Sequence, residues 1–237
     1  SPDLKDIVQN EGIEEINIFN IKINPLRRHD FLSIIEDGIK NCRQIAQFGV
    51  NSATINDIVR NDDFRDIINN ADLVHIDGMS VVLALRFFGY AIPERVATPD
   101  LADDILVMAN REKMSVFLFG AKEATLSLCK KNIEEKYPDL NIAGSRNGYF
   151  EPAEEEEIFK MINKVNPDIL LLGMSSPRKE LFFENYRNKL NAHYILGVGG
   201  YFDIIAGLIK RAPRWMQDIG LEWFFRLLQE PRRLWKR

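Results

Sequence analysis

Residues 15 to 24, "EINIFNIKIN", alternate apolar and polar positions with a period of two, which predicts a half-exposed strand or a hairpin. The period then changes. "RRHDFLSIIEDGIKNC" spaces its apolar residues three and four apart and predicts a helix, and a short strand is expected around Gln47 to Asn51. "SATINDIVRNDDFRDIINN" has Ser and Thr at its head and helical spacing behind them, so it reads as one capped helix. Four more short apolar runs follow: "ADLVHI" (71 to 76), "SVFLFG" (115 to 120), "DILLLG" (168 to 173) and "HYILGVGG" (193 to 200). Each leads into small or polar residues and then a helical pattern.

Short runs that are apolar on both faces, alternating with amphipathic helices, predict an α/β fold: a Rossmann-like parallel sheet flanked by helices. Ligands of such sheets bind beyond the carboxyl ends of the strands, which draws attention to Asn51, Asp77, Gly120, Gly173, Gly199 and Gly200. Near Lys210 the pattern changes to helical, aromatic and basic, with two prolines as breaks. The chain therefore divides into a Rossmann-like domain at 1–207 and a helical appendage at 208–237.

Charge sharpens that division. The chain of 237 residues is 46% hydrophobic and 28% charged, with a formal net charge of −4. From Leu208 onward, eight Lys and Arg face three acids, so the appendage carries +5 and the remainder −9. An overall acidic chain is no nucleic-acid binder, whereas the basic tail suits an anionic partner. No apolar run approaches the ~20 residues that span a bilayer. Cys42 and Cys129 lack metal-ligand spacing, and with no signal-like segment they suit a reducing cytoplasm.

Several short motifs carry candidate chemistry, each with a plainer alternative. Asp77-Gly78 at a strand exit is either the cap of the next helix or a general base at the mouth of the crevice. "GVGGYFD" (197 to 203) is either tight packing or a loop whose amides approach a phosphate; it does not fit G-x-G-x-x-G. In "GMSSPRKE" (173 to 180), Ser175 or Ser176 would cap a helix with Pro177 at its first position, or Arg178 and Lys179 would join the helix amides around a diphosphate. His29, His75 and His193 are scattered, and His75 reads as a core or edge residue. With no Asp-x-Asp pair, neither a metal site nor a cofactor is expected. In the tail, Trp215, Trp223, Phe224, Phe225 and Trp235 either cover the domain or meet a lipid interface.

Taken in order, "NNADLVHIDGMSVVLALRFFGYAIPERVATPDL", "GSRNGYF", "LLGMSSPRKE", "GVGGYFDIIAG" and "KRAPRWMQDIGLEWFFRLLQEP" resemble the WecG/TagA/CpsF family of bacterial glycosyltransferases. The resemblance covers roughly residues 40 to 237. It implies an inverting, metal-independent enzyme that moves a sugar from a UDP-sugar to a sugar on a polyprenyl diphosphate, peripheral to the cytoplasmic membrane face. Its partners are then the UDP-sugar donor, the lipid-linked acceptor and the membrane face, with a homo-oligomer left open. By the same resemblance Asp77 matches the family's base and Arg95 a catalytic-site arginine. Asn51 matches the pocket, Gly199, Gly200 and Asp203 the donor-binding segment, and Arg226 and Arg233 arginines that reach over the site toward a diphosphate, while Gly78 and Gly120 are expected substrate contacts from their place at strand exits alone.

Three positions depart from the family pattern. Gly49 replaces a threonine, Lys179 replaces a glutamine, and Thr98 replaces the glycine of "RVAG-x-DL". The first removes a hydroxyl beside the substrates and the second adds a cation. They motivate an alternative: a nucleotide-sugar-binding or scaffolding subunit without catalysis. Family members often continue past "EPRRLWKR", so a longer natural chain with a firmer membrane grip is expected.

Overall fold

The computed structural model describes residues 15–229; Arg233 and Trp235 lie outside them. The alternating segment forms a hairpin, β1 (Ile16–Ile18) and β2 (Ile21–Ile23), closed by Phe19 and Asn20 in left-handed conformation. Behind it the chain runs α1 (Arg28–Lys40), β3 (Ile45–Val50), α2 (Ser52–Arg60), α3 (Asp62–Asn69) and β4 (Leu73–Ile76). Then follow α4 (Met79–Phe87), α5 (Thr98–Glu112), β5 (Ser115–Gly120), α6 (Glu123–Lys136) and β6 (Asn141–Arg146). The remainder is α7 (Glu155–Val165), β7 (Ile169–Gly173), α8 (Arg178–Tyr186), β8 (Tyr194–Gly197), α9 (Tyr201–Ile205), α10 (Arg214–Asp218) and α11 (Glu222–Gln229).

Six strands form one parallel sheet in the order β4-β3-β8-β7-β5-β6. Both faces are covered, as the continuous apolar runs require. Leu171 and Leu118 pack into one core with α1, α5 and α6, while Leu170, Leu172, Phe117 and Phe119 pack into a second core on the other face. The expected α/β class and parallel sheet are thus what the chain adopts, with a helical C-terminal segment.

Local chemistry corrects two boundaries. The single helix expected at 52 to 70 is two, because Asn61 is extended (φ −139°, ψ 106°) and its side chain accepts a bond from Phe64 N at 3.1 Å to start α3. The cap of α2 is Asn51, whose Oδ1 accepts from Ala53 N at 3.0 Å and Thr54 N at 3.2 Å; Ser52 is already inside the helix. β6, with its mixed "NIAGSR" at the sheet edge, went unread as a strand because its burial does not alternate. Cys42 and Cys129 are free thiols, and burial pushes the Cys129 pKa up to about 12. Among the described residues no helix is long and apolar enough to cross a membrane.

Candidate functional site

Parallel strands deliver their following residues to one edge of the sheet, and β3 and β4 are neighbours there. Asn51 and Asp77 therefore meet. The Asp77 amide donates to Val50 O at 2.9 Å, and Asn51 Nδ2 donates to Asp77 Oδ2 at 3.4 Å. A Cβ on Gly78 would lie 3.0 Å from the Asn51 backbone, so the absent side chain is what lets these two strand exits close together.

The carboxylate is a cap, but not of the helix that follows it. The N-cap of α4 is Gly78, with no side-chain bond. Asp77 Oδ1 instead accepts from Thr98 N at 2.8 Å, at the start of α5, whose own N-cap residue Ala97 has no side chain to offer and whose next residue, Pro99, has no N–H. Two of the roughly four acceptor positions of the carboxylate are thereby used, and the rest remain to take a proton.

A chain of buried side chains fixes the threonine in turn. Tyr194 donates its hydroxyl to Gln47 Oε1 at 2.9 Å; Gln47 Nε2 lies 3.1 Å from His75 Nδ1; and His75 Nε2 lies 2.9 Å from Thr98 Oγ1. With Tyr194 on the amide oxygen, Gln47 presents its NH₂ to the ring, which makes Nδ1 the acceptor and leaves the proton on Nε2. His75 is fully buried, and that burial lowers its pKa to about 4 against the opposing pull of the Asp77 charge. His75 is thus a core residue, as its strand position suggested, and the core it serves ends at the Asp77 carboxylate.

Two departures from the family pattern turn out to be one. A Cβ on Gly49 would lie 2.5 Å from His75 Nε2 and 2.7 Å from Thr98 Oγ1. The threonine hydroxyl at 98 fills the space that a residue at 49 would need, so glycine has moved to one wall and threonine to the other.

Arg95 ties this rim to the C-terminal segment. Its Nε donates to the Asp77 carbonyl at 2.6 Å and its Nη2 to Glu222 Oε2 at 2.7 Å. Arg211 holds the other oxygen of Glu222 at 3.4 Å and also pairs with Asp100 on α5. Burial opposes the Arg211 charge, but the Asp100 and Glu222 carboxylates outweigh it and raise its pKa. One turn after Glu222, the Arg226 guanidinium lies 3.0 Å from where a Gly200 Cβ would stand, with Asp203 Oδ2 3.8 Å from the same point. Arg226 Nε is buried without a hydrogen-bond partner. Helix α11 thus spans from the Asp77 rim to the glycine loop after β8.

Gly199 is left-handed (φ 53°) and open and Gly200 faces the Arg226 guanidinium, but Gly197 and Gly120 serve packing. A Cβ on Gly197 would meet Phe48 at 2.6 Å, and one on Gly120 would strike the Gly173 backbone at 2.3 Å. Gly120 also lies two strands from β8, about 10 Å away at the usual strand spacing, so it stands apart from the Asp77–Gly200 group. The diphosphate cradle expected at "SSPRKE" is not formed by its cations. Arg178 stacks on Phe150 at 4.2 Å and donates to that residue's carbonyl, while Lys179 pairs with the buried Glu180. Neither serine caps α8: Pro177 holds the cap position and the Ser176 hydroxyl is buried without a partner. Lys179 does overhang β8, its Cε 3.0 Å from a Gly197 Cβ position.

Sequence reasoning missed Glu222, Arg211 and the Gln47–His75–Thr98 chain. Glu222 is an ordinary helix-face acid in sequence, and a signal for it exists only in the excess of unanswered arginines around it. Among the described residues no three His, Cys, Asp or Glu side chains gather as a metal site would need. A cleft lined by Lys22, Asn24, Asn70, Asp72 and Arg187 opens at the amino end of β4, opposite the Asp77 edge.

A protein of Bacillus subtilis (strain 168), the N-acetylglucosaminyldiphosphoundecaprenol N-acetyl-beta-D-mannosaminyltransferase, is 34% identical over 179 residues, covering 76% of this chain and 69% of that protein. The model of the Glycosyl transferase WecG/TagA/CpsF family matches residues 16–237, and the chain belongs to that family.

Proposed function

We propose that the protein is an inverting, metal-independent glycosyltransferase that moves a sugar from a UDP-sugar to N-acetylglucosamine on a polyprenyl diphosphate, in the synthesis of a bacterial surface polysaccharide. The observation that carries this reading is the bond from Thr98 N to Asp77 Oδ1: it fixes a carboxylate with acceptor capacity left over at a strand exit, on the rim that α11 joins to Arg226 over Gly200. In the reaction Asp77 takes the proton of the acceptor hydroxyl as its oxygen bonds to the anomeric carbon. The bond from that carbon to the UDP oxygen breaks on the opposite face, and its electron pair leaves with UDP. Arg226 and the amides of Gly199 and Gly200 meet the charge that develops there. The donors of Arg95 point at Asp77 O and Glu222, so we assign it positioning: it aligns the base and holds the arm that brings Arg226. Asn51 orients the carboxylate, and Lys179 over Gly197 lies where the donor sugar would be read.

The relative from Bacillus subtilis makes UDP-N-acetylmannosamine the first donor to try, with a panel of UDP-hexoses and UDP-hexuronates behind it. We expect UDP release with at least one donor, unaffected by EDTA, and a fall of ~10²-fold or more in Asp77→Asn with donor binding retained. An Asn variant with full activity would remove Asp77 as base. No UDP release with any donor would favour the non-catalytic binding subunit.

A further inference from the structure

Helix α4 is apolar on both sides. Val81, Val82 and Leu85 are buried in the core beneath it, as a surface helix requires. The opposite side should be polar. Ser80 and Arg86 are polar there, the Arg86 guanidinium turning back to the carbonyls of Ile92 and Pro93, but Leu83, Ala84 and Phe87, followed by Phe88, are apolar and all four are exposed. Phe87 is 85% and Phe88 74% accessible, their rings edge to face at 5.6 Å.

Positions i, i+4 and i+8 of a helix fall in one line, so Met79, Leu83 and Phe87 form a stripe. Its upper end meets the C-terminal segment, where a Cβ on Gly220 would lie 2.9 Å from Met79 Cγ. Beside that contact Ile219, Trp215 and Trp223 are exposed, at 58%, 61% and 62%. Exposed apolar side chains therefore stand on both sides of the Met79–Gly220 contact, on the appendage and along α4.

We infer that this surface is where the protein rests on an anionic bilayer, with the end of α4 as a contact as important as the appendage. The inference builds on the lipid-linked acceptor proposed above. Two features select lipid over a second copy of the chain. Phe87 and Phe88 protrude as a convex pair, which suits the interfacial layer of a membrane, where aromatic side chains are favoured. The surface is also flanked by exposed Lys210 and Arg214 on a segment of net charge +5, which attracts anionic headgroups and repels an identical face.

The test is partition of the full chain onto phosphatidylcholine vesicles with and without 30% phosphatidylglycerol, measured by co-sedimentation. The double substitution Phe87→Ser, Phe88→Ser should lower partition onto the anionic vesicles about 100-fold, and Leu83→Ser should lower it less. Thermal midpoint and UDP release with a water-soluble short-chain acceptor should stay at the wild-type level. Unchanged partition of the double variant overturns the inference. Unchanged partition together with a fall in solution mass from dimer to monomer overturns it in favour of contact between copies. The short-chain assay reads the transferase separately: wild type that binds vesicles but releases no UDP leaves the membrane surface standing and removes the proposed reaction.

Discussion

The two walls of the site are built on different physics. Around Asp77 the groups are neutral and buried: Tyr194, Gln47, His75 and Thr98 hand hydrogen bonds along a line from the middle of the sheet to the carboxylate. Around α11 the groups are charged and lie near the surface, where one acid, Glu222, sits between Arg95 and Arg211. A buried neutral chain is costly to break at any salt concentration, because each unmade bond leaves a desolvated polar atom. An ion pair near solvent is screened and can part. The Asp77 carboxylate is thus held rigidly, while the arm carrying Arg226 is held by contacts that can open.

The rim should show the larger responses. Gly49→Thr drives a side chain into His75 and Thr98, both closer than 3 Å to its Cβ, and should cost about 3 kcal/mol, the upper end for an overpacked core. The Gly49→Thr, Thr98→Gly double variant clears the clash and returns the hydroxyl to the other wall, so it should recover most of that loss. Urea unfolding of the four proteins measures the coupling, and additive losses would show that positions 49 and 98 do not share one space.

His75 makes the same wall sensitive to acid. Its folded pKa of about 4 lies below the ordinary value of 6.5, so the unfolded state binds the extra proton between those values. The associated stability is complete above pH 6.5 and is lost as pH falls toward 4, by about 2 kcal/mol at pH 5. His75→Gln should flatten that part of the stability profile relative to wild type; parallel profiles would contradict the burial argument.

The sheet was legible because burial on both faces leaves an unbroken apolar run, as in "SVFLFG", and the position of Asp77 followed from where such a run ends. What the carboxylate does there was not legible. A cap and a base use the same residue in the same place, and only the register of α5 shows that Asp77 caps a helix 21 residues later. The pairing of Arg178 with Phe150 and of Lys179 with Glu180 was hidden for a similar reason: a cation beside a helix start looks available until its tertiary neighbours are known. Gly49 and Thr98 looked like two separate departures because sequence shows substitutions one at a time, and space is shared.

The smallest predicted effect lies in the arm and tests the comparison most directly. Glu222→Gln keeps the shape and one acceptor but removes the charge that both arginines answer. It should weaken the arm by about 1–2 kcal/mol, less than loss of a fully buried pair because the side chains of Glu222 and Arg95 remain 13% and 14% accessible. The loss should be local. Amides of residues 214–229 should exchange faster with solvent, while those of β3 and β4 and the midpoint of global unfolding keep their wild-type values. Raising salt from 0.05 to 0.5 M should speed the same arm amides in wild type and change the variant little, since the charge to be screened is already gone. If instead the β3 and β4 amides open along with the arm, Arg95 is transmitting the change to Asp77, and the two walls form one cooperative unit.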